Sequence, residues 1–228
     1  MPLDFTSYFK QYEGLLALAD ETFQKMKASY PNQVRCRIGC SDCCYALFDL
    51  YLVEALYVNH HFNKRFTGEE RDAFLEKANK IDRRVHQIKR DAFRRHAAGE
   101  EEAVLLDEMA RRHVRCPLLN ADNACALYDV RPITCRFYGI PTAIGGKGYT
   151  CGQSAFQMGV SYPTVNLDRV HHKLLSISNA LATDIGSRYL RLGELLVPLS
   201  MALLTEYDET YLGVAAPHKE STPMPSSE

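Results

Sequence analysis

Four of the eight cysteines in the chain lie in one nine-residue stretch, at Cys36, Cys40, Cys43 and Cys44. Thiolates are ligands of zinc and of iron–sulfur clusters, and grouping them without a compensating cation is costly. Spacings of two or three residues let successive sulfur atoms turn toward one centre. The stretch 36–44 therefore predicts part of a metal site.

The remaining four cysteines form a second group, which consists of Cys116, Cys125, Cys135 and Cys151. The segment 116–151 has little helical periodicity and contains several prolines and glycines, so we expect it to be rich in loops. We expect the two groups to meet in space and all eight cysteines to be metal ligands. Arg131 and Arg136 lie among the second group, and their N–H groups could donate to sulfur and offset its charge. Both arginines are therefore predicted to contact the cofactor.

The adjacent pair Cys43 and Cys44 bears on the identity of the metal. Neighbouring side chains diverge, so two adjacent cysteines rarely chelate one tetrahedral zinc ion. They serve two centres, or two edges of one cluster, more easily. The pair and the supply of eight thiols favour an iron–sulfur cluster, with zinc as the alternative. Among clusters, the 4Fe–4S type is favoured. Whether the cysteines hold one centre or two stays open.

Disulfides are the other interpretation of an even number of cysteines. The N-terminal residues show no basic region followed by an apolar run, so we expect no signal peptide and a cytoplasmic location. Disulfides are rare in that compartment. The most apolar segment, 195–204, is too short for a membrane span and contains Pro198, so we expect no membrane association. These observations favour metal over disulfides.

Composition excludes further classes of protein. The chain has 228 residues, of which 46% are hydrophobic and 24% charged, and its formal net charge is −1. These values predict a folded core and argue against a disordered acidic chain or a globally basic nucleic-acid binder. The segment 83–95 is rich in arginine and lysine, with Phe93 as its one Phe, Tyr or Trp residue, and the acidic run 100–102 follows. We interpret it as a solvated helix face and leave an unknown protein partner open.

Hydrophobic periodicity predicts that the fold class is mainly α. Helices are expected over the ranges 5–30, 49–62, 68–98, 100–115, 166–182 and 186–204. Residues 140–149 read as a small β-hairpin around two adjacent glycines.

The predicted architecture is a helical scaffold around a loop-rich, cysteine-ligated metal site. It forms one domain over 1–216, with metal-site segments 36–44 and 116–151 and a helical insert at 68–115. The tail 217–228 is polar and proline-rich, and we expect it to be disordered.

The cysteine pattern resembles that of the zinc- or iron-chelating cysteine-cluster family. The residues that carry the resemblance are the C-x3-C-x2-C-C block from Cys36, the Cys-Pro-Leu-Leu sequence from Cys116, and the segment 125–137, which contains Tyr-Asp-Val-Arg-Pro and Cys-Arg. The resemblance covers residues 36 to 151, and the helices outside the two blocks are not part of it. It implies metal binding, by iron–sulfur cluster or zinc. We expect the bound metal to have a redox, sensing or metal-handling role.

An enzymatic role stays open, and no catalytic residue is assigned. The spacing of Cys36, Cys40 and Cys43 matches that of radical S-adenosylmethionine enzymes, but Asp42 stands where those enzymes usually have an aromatic residue. One branch of the family resembles protein-lysine methyltransferases, although the chain has no glycine-rich cofactor loop after a strand. A structural zinc protein that binds a partner is the third alternative.

Overall fold

The structure is a computed structural model that describes residues 3–37 and 39–214. Most of these residues are helical, which confirms the predicted mainly α class. The helices are α1 (Thr6–Ser29), α2 (Leu52–Arg65), α3 (Gly68–Ala97), α4 (Glu102–Ala110), α5 (Ile133–Phe137), α6 (Leu167–Asp184), α7 (Leu199–Leu204) and α8 (Glu209–Leu212). The strands are β1 (Asp49–Tyr51), β2 (Thr142–Ile144), β3 (Lys147–Tyr149), β4 (Val165–Asn166) and β5 (Leu196–Pro198). The predicted tail at 217–228 lies outside the described residues.

The strands form two small sheets. β2 and β3 pair antiparallel, and Gly145 and Gly146 form the turn between them with positive φ angles of 55° and 77°. Such a turn suits the twist of a hairpin and requires residues that tolerate positive φ, so the predicted hairpin is confirmed. β4 adds to β2 in the parallel direction, and the second sheet consists of β1 and β5 paired antiparallel.

The segment 186–204 does not form the predicted single helix. β5 occupies Leu196–Pro198, and α7 begins immediately after Pro198. Pro198 has no backbone N–H to donate, which suits the end of an edge strand and the start of a helix but not a helix interior. The same pairing explains why Asp49–Tyr51 is the strand β1, although the periodicity extended the second helix back to residue 49.

The longest helix in the described part of the chain is α3, close to the predicted 68–98. Its buried residues are Phe74, Ala78 and Val85, which recur at spacings typical of one helix face, and it packs against α7 and α4. The remainder of α3 is strongly polar. Within residues 3–37 and 39–214 we find no helix whose length and apolar character would let it cross a membrane.

Glu54 is a buried carboxylate that connects three helices. Its side chain is 1% exposed in α2. It accepts hydrogen bonds from the Tyr12 hydroxyl of α1 at 2.8 Å, from the Ile133 N–H at the start of α5 at 3.2 Å, and from the Tyr51 N–H at 3.3 Å. Burial raises the pKa of Glu54, while these three hydrogen bonds oppose the rise. Glu54 therefore fixes the start of α5, the helix that carries Cys135.

We expect Glu54→Gln to destabilise the fold in a pH-dependent way. Below the usual carboxyl pKa of 4.5, the variant should lose about 1–3 kcal/mol, because the amide cannot accept all three hydrogen bonds. Since the pKa of Glu54 is raised in the folded protein, its protonated form stabilises the fold, and this contribution is lost as the pH rises from 4.5 through the folded pKa. The difference between wild type and variant should therefore shrink with rising pH. Urea unfolding between pH 4 and 8 measures it.

The control is Glu206→Gln, which removes one carboxyl from an exposed position. It shows how far the loss of a surface carboxylate alters the unfolding curves by itself. A difference between wild type and Glu54→Gln that grows as the pH rises would contradict the assigned role of Glu54.

Candidate metal centre

A cavity of about 540 Å³ lies where the two cysteine groups meet. This size is within the range of small-molecule and cofactor sites. Seven of the eight cysteines line it: Cys36, Cys40, Cys43, Cys44, Cys116, Cys125 and Cys135. The structure thus brings the first group and three members of the second group to one place, although they are far apart in sequence.

Backbone hydrogen bonds hold the two groups together. A 3-10 turn over Asp42–Tyr45 carries Cys43 and Cys44, and the Cys44 N–H donates to the Ser41 carbonyl at 2.9 Å. The Cys44 carbonyl then accepts from the Cys116 N–H at 2.6 Å. A direct backbone hydrogen bond therefore joins the chain at Cys116 to the turn that carries the cysteine pair.

The other two cysteines of the second group are placed by different elements. Cys125 forms an isolated antiparallel bridge with Leu119, so the chain folds back beside Cys116. Cys135 lies on the short helix α5, which begins at Ile133 on the carboxylate of Glu54. A five-residue helix has little stability of its own, so the position of Cys135 depends on this tertiary contact.

Cys36 packs against a glycine. Its thiol donates a hydrogen bond to the Tyr138 carbonyl at 3.6 Å, and the next residue, Gly139, has a φ of +100°. A Cβ atom at position 139 would overlap the sulfur atom of Cys36. Both the left-handed backbone and the close sulfur contact therefore require glycine at this position.

Cys151 occupies a different position from the other seven cysteines and does not line the cavity. Its thiol donates to Oδ2 of Asp42 at 3.2 Å, and its sulfur accepts from the Gln153 N–H at 3.3 Å. Asp42 lies between Cys40 and Cys43 in the sequence. Cys151 therefore contacts the segment of the first group by a hydrogen bond to the Asp42 carboxylate. Its role as a metal ligand stays a prediction.

The side chains do not form a coordination sphere as they stand. Across residues 3–37 and 39–214, no three histidine, cysteine, aspartate or glutamate side chains are gathered in an arrangement that could hold a metal ion. The cysteines are all free thiols and partly exposed. The ligand role of the eight cysteines is thus untested by the geometry, although seven of them share one cavity.

Burial favours the protonated form of several cavity thiols. It raises the pKa of Cys36 to about 11 and that of Cys116 to about 12, with smaller contributions from neighbouring sulfur atoms. It also raises the pKa of Cys135 well above its usual value. A cation would have to displace these protons, because only the thiolate is a good metal ligand.

Arg131 and Arg136 are both anchored by Asp20 of α1. Arg136 is 5% exposed, forms an ion pair with Asp20, and donates to the Asp129 carbonyl and to the Arg131 carbonyl, the latter at 3.1 Å. Nη2 of Arg131 lies 3.6 Å from Oδ1 of Asp20, and the guanidinium carbon of Arg131 lies 4.1 Å from the ring centre of Tyr128. Burial raises the pKa of Cys125, and the charge of Arg131 opposes this rise. Arg131 therefore lies near the thiols, while Arg136 connects α1 to the chain segment that precedes α5.

Three residues of this region did not stand out in the sequence: Asp20, Glu54 and Gly139. Asp20 begins a stripe with Phe23, Gln24 and Lys27, which lines the cavity from α1. Residues at such spacing share one face of a helix, so this polar stripe was the available signal. The roles of Glu54 and Gly139 depend on contacts with residues far away in the sequence.

Comparison with known proteins found no matching family model, no matching curated protein and no matching solved structure. The resemblance to the cysteine-cluster family therefore depends on the motif residues themselves.

We expect Gly139→Ala to disturb Cys36, with Gly99→Ala as its matched control. Both glycines have similar positive φ angles, 100° and 95°, but Gly99 has open surroundings. Each alanine should cost about 1–2 kcal/mol through the left-handed backbone. Only Gly139→Ala should cost more, because its methyl group overlaps the Cys36 sulfur, and metal at the predicted site would be lost in this variant alone. Chemical unfolding and elemental analysis measure both effects, and equal results for the two variants would refute the packing of Cys36 on Gly139.

Proposed function

We propose that the chain is a metal-binding protein whose cysteines hold an iron–sulfur cluster, with 4Fe–4S favoured, in a redox, sensing or metal-handling role. The observation that carries the proposal is the convergence of seven thiols, from two distant parts of the chain, on one cavity. We also propose membership of the cysteine-cluster family, on the strength of the motif residues.

The donor set suits such a cluster. It consists of soft sulfur ligands, which select iron–sulfur clusters, zinc and copper(I) over hard cations such as magnesium or calcium. When bound, the cluster supplies one-electron chemistry or an oxidant-sensitive signal. The protein would supply its thiolates from the seven cysteines that line the cavity.

Arg131 would balance part of the negative charge that thiolates and cluster bring into the cavity. It lies near Cys43, Cys125 and Cys135, whose raised pKa values its positive charge partly opposes. Hydrogen bonds and positive charge around cluster sulfurs are the means by which proteins tune such sites. Asp20 holds Arg131 in this place.

We propose a reducing compartment, the cytoplasm, because eight free thiols require one. We also propose that nucleic acid is not the partner. Several basic groups of α3 are engaged within the protein: Lys89 with Asp49 at 2.6 Å, and Arg95 with Glu100 and Glu108. These contacts favour a self-neutralised helix surface over a basic patch for phosphates.

A structural zinc site is the second candidate. The cysteines of the cavity come from the segment after α1, the loop around Cys116 and the helix α5, so one ion could cross-link parts of the chain that are distant in sequence. Zinc in such a site stabilises the fold directly and carries out no electron transfer.

Metal and sulfide analysis of anaerobically purified protein separates the two candidates. We expect iron with acid-labile sulfide and a broad visible absorption band, and we expect Cys43→Ser and Cys135→Ser each to lose most of the iron. Cys151→Ser should lose less, because its sulfur lies outside the cavity lining. Stoichiometric zinc without sulfide would contradict the iron–sulfur cluster and support the structural zinc site. Metal content unchanged in both Cys43→Ser and Cys135→Ser would refute the site altogether.

A further inference from the structure

Many of the residues that line the cysteine cavity are not cysteines. One part of the wall is a stripe on α1 that consists of Asp20, Phe23, Gln24 and Lys27 and is polar except for Phe23. Another part is apolar and consists of Phe48, Ile81, Val85, Val114 and Leu199. The α1 part adjoins Cys36, because Phe23 and Cys36 both contact the space above Gly139, and the apolar part includes Val114, two residues before Cys116. The thiols thus share one cavity with a polar and an apolar region.

The charges of the cavity are mainly positive. Five basic side chains line it, against the single carboxylate of Asp20: Lys27, Arg37, Arg115, Arg131 and Arg136. Asp20 holds two of these, Arg131 and Arg136. Arg115 donates to the Tyr45 hydroxyl at 3.0 Å and to the Asn120 carbonyl at 2.9 Å.

Lys27 and Arg37 differ from the other three basic residues. Within the part of the chain that the structure describes, neither side chain takes part in a salt bridge or a hydrogen bond. Both are exposed at the cavity. Their charges are therefore available to a molecule that enters.

We propose that the cavity binds a small organic anion with an apolar body. The anionic group lies beside Lys27 and Arg37, and the apolar body extends past the thiols toward Ile81, Val85 and Leu199. The inference rests on the proposed metal function and deepens it, because such a molecule would lie against the metal centre as its substrate or effector.

Both regions of the wall are needed for this choice of ligand. An inorganic anion would leave the apolar wall in contact with water, and an uncharged apolar molecule would displace water from Lys27 and Arg37 without replacing its hydrogen bonds. Ligand sites in proteins typically combine an apolar wall with a few polar groups that fix orientation. An amphipathic anion is the class of molecule that satisfies both regions together.

The test uses 8-anilinonaphthalene-1-sulfonate as the probe and isothermal titration calorimetry as the measurement, so that a coloured metal centre does not interfere. We expect Lys27→Glu and Arg37→Glu each to weaken binding about tenfold, since each replaces a charge-assisted contact by repulsion. The matched controls are Lys10→Glu and Arg35→Glu, which make the same charge change at exposed positions outside the cavity lining. The controls should bind like the wild type.

Ile81→Asp tests the apolar region and should abolish binding. If this variant does not unfold cooperatively, Ile81→Ala replaces it, with about threefold weaker binding expected from the lost apolar contact. The uncharged probe N-phenyl-1-naphthylamine should bind wild-type protein more weakly than the sulfonate. Equal binding of the two probes, or equal loss in the cavity variants and their controls, would overturn the inference.

Iron, zinc and sulfide are measured in the same preparations. Bound metal without the expected pattern of probe binding would refute the anion site and leave the metal function standing. The expected pattern in protein that holds no metal under any condition would support the anion site and refute the metal function.

Discussion

The arrangement of the site depends on one buried carboxylate. Glu54 accepts hydrogen bonds from α1, from its own helix start and from the first residue of α5. Removing a carboxylate from water is costly unless its oxygens are well satisfied, so these donors have little freedom to move away. Through Ile133, the constraint reaches Cys135 two residues later. A second buried polar group, Arg136, ties the same short helix to Asp20 of α1. The loops that carry the thiols are thus fixed by polar contacts outside the cysteine set.

Much of the scaffold could be predicted from local pattern. The extent of α3, the boundaries of α1 and α6, and the hairpin around Gly145 and Gly146 depend on residues close together in the sequence, and these predictions are confirmed. The failure at 186–204 has a local cause, Pro198, and a non-local one. Leu196–Pro198 forms a strand because β1 offers its edge, and no property of the segment itself reveals that partner. Periodicity measures which residues face a core, but it does not identify a strand whose partner lies far away.

In the candidate site, too, some features follow from local sequence and others from contacts between distant residues. The two cysteine groups were evident from residue type and spacing, and the structure brings seven of the eight thiols to one cavity. Glu54 and Gly139 were not evident, since a glutamate in an amphipathic helix is usually a surface residue and a glycine in a loop is usually a turn. Their importance comes from what they contact: three hydrogen-bond donors in one case and the sulfur of Cys36 in the other. The separate position of Cys151 likewise follows from a side-chain contact, with Asp42, that spacing alone does not indicate.

The partial exposure of all eight cysteines has a kinetic consequence. A centre enclosed by the core would have to be incorporated while the chain folds, and it could leave only by unfolding. Under the metal function proposed above, thiols that solvent can reach would allow the chain to fold first and to receive a metal afterwards, by ligand exchange with a donor. The same openness would let oxygen or a chelator reach the proposed centre, so its lifetime would follow the conditions around the protein and not the unfolding rate. Loading and loss would then be reversible events in the life of one folded molecule.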